Sequence, residues 1–186
     1  MSEPLSKQSV PLERVRRYLE PGPIVLVSSA WAGRRNVMTL GWHTVMAFSP
    51  SLIGCIISSG TRTHELVRRS GECVINLPTL TLTDQVIGCG NTSGAEVDKF
   101  AHFGLTAQPA ERVGAPLIAE CHAHFECRLV DDGMVDRYDF FIWEVLAARA
   151  ATVPSYPETL HYTGDGVFMV AGEIIDRREQ FLPEML

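Results

Sequence analysis

The chain has 186 residues, 46% of them hydrophobic and 20% charged, and a formal net charge of -6; this suits one soluble domain with a packed core and excludes a disordered or fibrous chain. An acidic chain without clustered Lys and Arg has no footprint for the phosphates of duplex nucleic acid. The apolar runs Pro23 to Trp31 and Phe140 to Val145 are too short to cross a membrane as helices, MSEPLSKQSVPLERVRRYLE has no apolar core of the secretory kind, and five scattered cysteines (Cys55, Cys73, Cys89, Cys121, Cys127) fit a reducing cytoplasm.

In chain order, a short helix is expected around Leu12 to Leu19, ended by Pro21-Gly22-Pro23. IVLVSSAW reads as a strand and Ala32 to Asn36 as a turn. VMTLGWHTVMAF and LIGCIISSG are two further β-rich segments joined tightly at Ser49-Pro50-Ser51, because Pro cannot donate to a ladder. THELVRRS has helical spacing and stops at Gly71, with Arg68 and Arg69 in the last turn, where cations oppose the helix dipole. ECVINLP is a strand and LTLTDQVIGCGN a short helix. TSGAEVDKFAHFG reads as a surface excursion ending in a brief helix, the kind of segment that often carries function. HAHFECRLVDDG and RYDFFIWEVLAARA form long antiparallel strands about Asp131-Asp132-Gly133. About six strands and two or three short helices, without repeat or linker, favour a single antiparallel barrel over a doubly wound sheet.

Two segments carry candidate chemistry. Ser58-Ser59-Gly60-Thr61-Arg62-Thr63-His64 ends a strand and opens a helix, so free N–H groups, the helix dipole and a guanidinium converge on one place, as a phosphate requires. The alternative is a polar turn with Thr63 as an N-cap. Asn36-Val37-Met38-Thr39-Leu40-Gly41-Trp42 offers a floor for a flat heteroaromatic ring, with Met38, Leu40 and Trp42 on one face; the alternative is an ordinary barrel wall.

Taken together and in order, these segments resemble the flavin-reductase-like family with the FMN-binding split barrel, and its flavoredoxin-like branch in particular. The resemblance rests on N-x-M-T-x-x-W from Asn36, F-S-P at Phe48 to Pro50, S-S-x-T-R-T-H-E-L at Ser58 to Leu66 and G-E-C-V-I-N-L-P at Gly71 to Pro78. It continues through S-G-x-E-V-D-K-F at Ser93 to Phe100, G-A-P-L-I-A-E at Gly114 to Glu120, Y-D-F-F-I-W-E-V at Tyr138 to Val145 and H-Y-x-G-D-G-x-F-M at His161 to Met169, and covers roughly residues 20 to 175. It implies an antiparallel Greek-key split barrel across the single domain 1–186, one noncovalent FMN, and a homodimer with the flavin near the subunit interface. By the same resemblance Asn36, Met38 and Thr39 meet the isoalloxazine edge and ribityl chain, Ser58, Ser59, Arg62 and Thr63 hold the phosphate, and Lys99 is a second positive group near the cofactor, or else a solvated lysine.

The implied activity is that of an FMN-dependent oxidoreductase passing electrons from NAD(P)H or a protein donor to a flavin, metal or protein acceptor; a non-enzymatic flavin carrier would need the same residues. One departure bears on the donor. The G-D-H element common in the branch that takes hydride from NAD(P)H is replaced here by Asp136-Arg137-Tyr138-Asp139, which leaves His161 as the polar candidate facing the flavin, unless it is structural. A redox protein is therefore expected to be the faster donor. In Cys121 to Cys127, alternation puts Cys121 and Cys127 on one face and His122, His124 and Glu126 on the other, a polar outer face that leaves a metal only the two histidines. Gly88-Cys89-Gly90-Asn91-Thr92-Ser93 lacks the last glycine of a dinucleotide fingerprint and reads as a helix stop.

Overall fold

The computed structural model describes residues 6–15 and 22–182. The main sheet has eight antiparallel strands. They are β1 (Lys7–Ser9), β2 (Val25–Trp31), β3 (Arg34–Leu40), β4 (His43–Phe48), β5 (Ser51–Ile56), β6 (Glu72–Leu77), β9 (Ala123–Asp131) and β10 (Phe140–Ala151). Their order is β3-β2-β6-β9-β10-β5-β4, with β1 beside β10. Two short pairs lie outside it, β7 (Ala107–Gln108) with β8 (Leu117–Ile118), and β11 (Leu160–Gly164) with β12 (Val167–Val170). The helices are α1 (Arg62–Ser70), α2 (Thr83–Asn91), α3 (Lys99–His102) and α4 (Val135–Tyr138), joined by a few 3-10 turns.

The sheet curls because its inner face buries one apolar cluster contributed by every long strand. Val25, Val27, Leu40, Ile53, Cys55, Cys73, Ile75, Phe125, Cys127, Phe141, Trp143 and Val145 belong to it, with Met38 and Val45 packed against it. Met38 and Leu40 lie on β3 and Val45 on β4, so the two terminal strands of the order share one interior. Val67 of α1 belongs to the same cluster and closes one end. A second cluster on the outer face joins Leu26 and Val37 to Val86 and Cys89 of α2 and Phe100 of α3.

Several expectations are met closely. α1 begins at the N-cap Thr61, whose hydroxyl accepts from His64 N at 3.2 Å, and ends at Gly71, whose φ of 68° lies in the left-handed region that costs glycine least. β9 and β10 pair as the long antiparallel strands expected, although α4 stands between them besides the turn.

Three expectations are corrected, and a fourth lies largely outside the described residues. Among the described residues the strands number twelve, since pieces of two to four residues carry too little pattern to be read individually. VMTLGWHTVMAF is two strands broken at Gly41-Trp42, and Trp42, 71% exposed, does not continue the inward face of Met38 and Leu40. The 3-10 turn Leu12–Arg14 stands at the start of the expected first helix, and residues 16–19 of that helix, with Pro21, fall outside the described residues. The face of β9 expected to be polar and outward is instead buried, with His122, His124 and Glu126 at 1%, 2% and 2% exposure.

That last burial has a specific cause. The segment 104–119 covers the strand and supplies its carboxylate with partners. Glu126 accepts from the backbone N–H of Arg112 at 2.6 Å and of Glu111 at 3.0 Å. Asn76 Oδ1 accepts from Ile118 N and from His124 Nδ1, both at 3.0 Å, while its Nδ2 donates to Leu26 O and Ser28 Oγ. Buried polar groups are tolerated where such bonds replace water. Among the described residues, no three His, Cys, Asp or Glu side chains form a group able to hold a metal ion, and no helix is long and apolar enough to cross a membrane.

Candidate functional site

The β2–β3 hairpin turns at Ala32-Gly33, with φ of 49° and 74°, and its register pairs Trp31 with Arg34. Arg34 and Arg35 therefore emerge together at the tip. They face Arg62, the first residue of α1, across a cleft of about 730 Å³ that is also lined by Gly33 and residues 94–98. This volume lies in the range of small-molecule sites.

Each guanidinium has a different environment. Arg35 pairs with Asp98 at 2.8 Å and lies over the Phe100 ring, 4.7 Å from its centroid; the Arg35 hydrogen bond holds the Asp98 carboxyl below its ordinary pKa. Arg62 contacts the Glu65 carboxylate one turn along α1. Arg34 is exposed and forms no ion pair among the described residues.

β3 is an edge strand, with β2 on one side only. Its side chains divide as alternation requires. Val37 packs outward with α2, and Met38 and Leu40 pack inward. Thr39 Oγ1 donates to Val86 O at 2.6 Å, fixing α2 on the strand. Asn36 Nδ2 donates to Thr63 Oγ1 at 2.9 Å, fixing α1 to it. Thr63 is fully buried and is not the N-cap, a place taken by Thr61.

The Asn36 amide is 3% exposed, and its Oδ1 has no hydrogen-bond partner. A Cβ built on Gly94 would stand 1.9 Å from that oxygen, so the 92–98 loop can close over Asn36 only because residue 94 is glycine. A buried carbonyl oxygen without a donor is costly, and this one lies beneath Gly94 of the cleft wall.

Of the residues expected at a phosphate, Ser58 and Ser59 are exposed just before α1, and Arg62 lines the cleft. The first N–H groups of α1 have no acceptor inside the helix apart from the cap. These features can hold an anion. Lys99 is placed differently. It is 5% exposed, and its Nζ donates to Cys89 O at 2.7 Å in the last turn of α2. Burial lowers its pKa, and it is not in the lining of the cleft. The cations sequence reading overlooked are Arg34 and Arg35; their signal was a basic doublet directly before Asn36.

His161 is half-buried in β11, with Nε2 2.9 Å from Thr159 Oγ1. Ile24 N donates to Leu160 O at 2.7 Å, so β11 joins the start of β2, whereas the cleft lies at the other end of that strand. Within one chain His161 and Arg62 are not brought together.

Comparison with known proteins agrees with this architecture. The model of the flavin reductase like domain matches residues 16–170. YddH of Escherichia coli strain K12 is 31% identical over 179 residues, covering 88% of this chain and 94% of that protein. The structure of an FMN-binding domain of a flavin reductases-like enzyme from Shewanella baltica superposes with a TM-score of 0.88 at 28% identity, covering 95% of this chain and all of that one. Flavoredoxin of Desulfovibrio vulgaris (Miyazaki F), at 23% identity, shares the fold with a TM-score of 0.75 over 84% of this chain and 90% of its own.

Proposed function

The chain belongs to the flavin reductase like domain family, and from that premise we propose that it binds one FMN without a covalent link in the Arg62 cleft and acts as an FMN-dependent oxidoreductase. The observation that carries this reading is one cleft with the start of α1, at Arg62, on one wall and the start of the edge strand β3, at Arg34 and Arg35, on another. Ser58, Ser59, the Arg62 guanidinium and the first N–H groups of α1 hold the phosphate dianion. Asn36, Met38 and Thr39 present the unpaired edge of β3 to the ribityl chain and the ring.

Bound FMN supplies one- and two-electron redox chemistry, which the side chains lining the cleft cannot. The protein's part is to bind, orient and exclude water. Asn36 and Thr63 lock the strand to the helix, so the ring and phosphate subsites keep a constant separation. Lys99 acts through α2, which it caps, rather than on the ligand. Electrons come from NAD(P)H or a protein donor and pass to a flavin, a metal or another protein; a carrier that only stores flavin would use the same subsites.

We place the working unit as a homodimer. Trp42 and Met46 expose 71% and 44% of their surface on and beside the edge strand β4, more apolar area at one edge than an isolated chain is expected to leave in water.

The purified protein should show the visible absorption of bound flavin, and anaerobic addition of a reduced donor should bleach its long-wavelength band. Colourless protein that takes up no added FMN would refute the reading. A yellow protein that no donor reduces would leave the carrier.

A further inference from the structure

The outer surface of the barrel is covered on two walls and bare on a third. Helices α2 and α3 pack on β2 and β3, and the segment 104–119 lies over β6 and β9. On β5 and β10, Ile53, Cys55, Phe141 and Trp143 point into the core, so alternation turns Leu52, Ile56, Phe140 and Ile142 outward. These four are only half-buried, and Met46 on neighbouring β4 is exposed. A Cβ built on Gly54 would stand 2.2 Å from the Phe140 ring and 3.0 Å from Met46 Sδ, so both side chains lie across the bare glycine and level the face. Glu144, the charge among these outward positions, is paired with Arg128 at 3.0 Å. The wall is therefore apolar and electrically neutral.

The same chain carries an apolar arm that packs on nothing of its own. Ala171 N donates to Thr159 O, and beyond it residues 172–182 are all exposed, with Ile174, Ile175, Phe181 and Leu182 among them. Among the described residues the bonds of the arm are internal: Arg178 pairs with Asp176, and the N–H groups of Gln180 and Phe181 close a 3-10 turn on Arg177 O and Arg178 O. We propose that the arm of one copy seats on the outer β4–β5–β10 face of a second copy, and reciprocally, so that two copies exchange arms. The proposal rests on the homodimer placed above. Three features single out a second copy as the occupant. The bare face continues from the β4 edge where Trp42 and Met46 are exposed. Reciprocal exchange covers two faces with two arms and leaves neither over, as a closed two-fold assembly requires. The reach suffices, since residues 172–177 alone span about 20 Å when extended, and three adjacent strands lie about 4.8 Å apart. A neutral face offers no steering to a charged partner but suits the isoleucines of the arm.

Sedimentation of the full-length protein over a range of concentrations should be compared with that of the double variant Ile174→Asp, Ile175→Asp. The variant should raise the dimer dissociation constant by about tenfold or more, the worth of burying one large aliphatic side chain. Its circular dichroism should stay unchanged, because the arm buries nothing in its own chain. A benzophenone side chain introduced at Phe181, in a mixture of heavy-isotope-labelled and unlabelled copies, should cross-link to β4, β5 or β10 peptides carrying the other label. Cross-links confined to one label, or formed on another surface, would overturn the exchange, as would an unchanged dissociation constant in the double variant; the homodimer itself would stand. An unchanged protein that stays monomeric at every concentration would refute the homodimer, and the exchange with it.

Discussion

Asn36 and Thr63, 27 positions apart, meet in a buried hydrogen bond of 2.9 Å that joins the edge strand β3 to the first turn of α1. Thr63→Val keeps the shape of the side chain but removes the acceptor, leaving the Asn36 amide with no partner at either end. The expected loss is about 1–3 kcal/mol of stability, together with weaker FMN binding, whereas Thr63→Ser should retain most of both. Urea unfolding with and without FMN is the check; a valine variant as stable as the unchanged protein would show that the bond is incidental.

Arg62→Ala should weaken FMN by about tenfold or more, from a lost charge-assisted bond of roughly 1.5–3 kcal/mol, and should leave riboflavin, which has no phosphate, nearly unaffected. Fluorescence titration of the apoprotein with both ligands decides it. Equal weakening of the two would place Arg62 away from the phosphate.

If FMN lies near a subunit interface, as proposed for the homodimer, its binding and assembly are linked by mass action. The apoprotein should dissociate at higher protein concentration than the holoprotein in sedimentation experiments. Replacing exposed Trp42 with Asp should lower dimer stability without unfolding the chain, since that side chain is 71% exposed in the single chain. A monomer with full FMN occupancy would rule the arrangement out.

The electron donor is expected to be a protein. Hydride transfer needs the nicotinamide stacked within about 3–3.5 Å of the flavin, while electron transfer needs only close approach. Asp136, Arg137 and Tyr138 lie in α4, where Arg68 binds Asp136 at 2.8 Å, so the stretch standing in place of G-D-H offers no free imidazole. Anaerobic stopped-flow should show slow reduction by NAD(P)H and faster reduction by a small reduced iron-sulfur or haem protein. Rapid, saturable reduction by NADH or NADPH would overturn this. His161→Ala belongs in the same series: because His161 is distant from the cleft of its own chain, a change in rate would assign it to the flavin of the facing subunit.

Burial, with Lys7, Arg149 and His122 adding to it, pushes the His124 imidazole down to about 3. An unfolded histidine titrates near 6.5, so between about pH 6.5 and pH 3 the unfolded chain binds a proton that the folded chain refuses. Stability is therefore expected to be unaffected by this group at pH 7 and to fall as pH drops through that window. His124→Gln, which can still donate to Asn76, should flatten the acid limb of a stability-against-pH curve. An unchanged limb would mean that other groups govern it.

Much of the barrel was legible because its strands are apolar runs bounded by turns, with period-two burial in β4 and β10, and because α1 has its stop written in Gly71, although its cap is Thr61 and not Thr63. The burial of β9 was not legible: alternation reports that His122, His124 and Glu126 share a face, but not whether a later segment covers it. The phosphate wall could be read locally from Ser58 to Thr63. Arg34 and Arg35 could not, since only the β2–β3 register swings that doublet across from α1. Lys99 shows the converse, a motif residue whose ammonium turns to a helix end rather than to the cleft.

The places of β3 and β4 in the sheet carry a mechanical consequence. These strands are consecutive in the chain yet lie at opposite ends of the hydrogen-bonded order, joined by Gly41 and Trp42 alone. The barrel is thus sealed along that seam by a covalent tether and by shared packing, with His43 Nε2 bonded to Pro23 O at 2.7 Å as a latch near it, rather than by a ladder. A seam without rungs can widen without breaking strand pairing. Amide exchange should therefore be fastest on the facing edges of β3 and β4 and slow in the β6–β9–β10 wall opposite, which makes the seam the expansion joint of the fold.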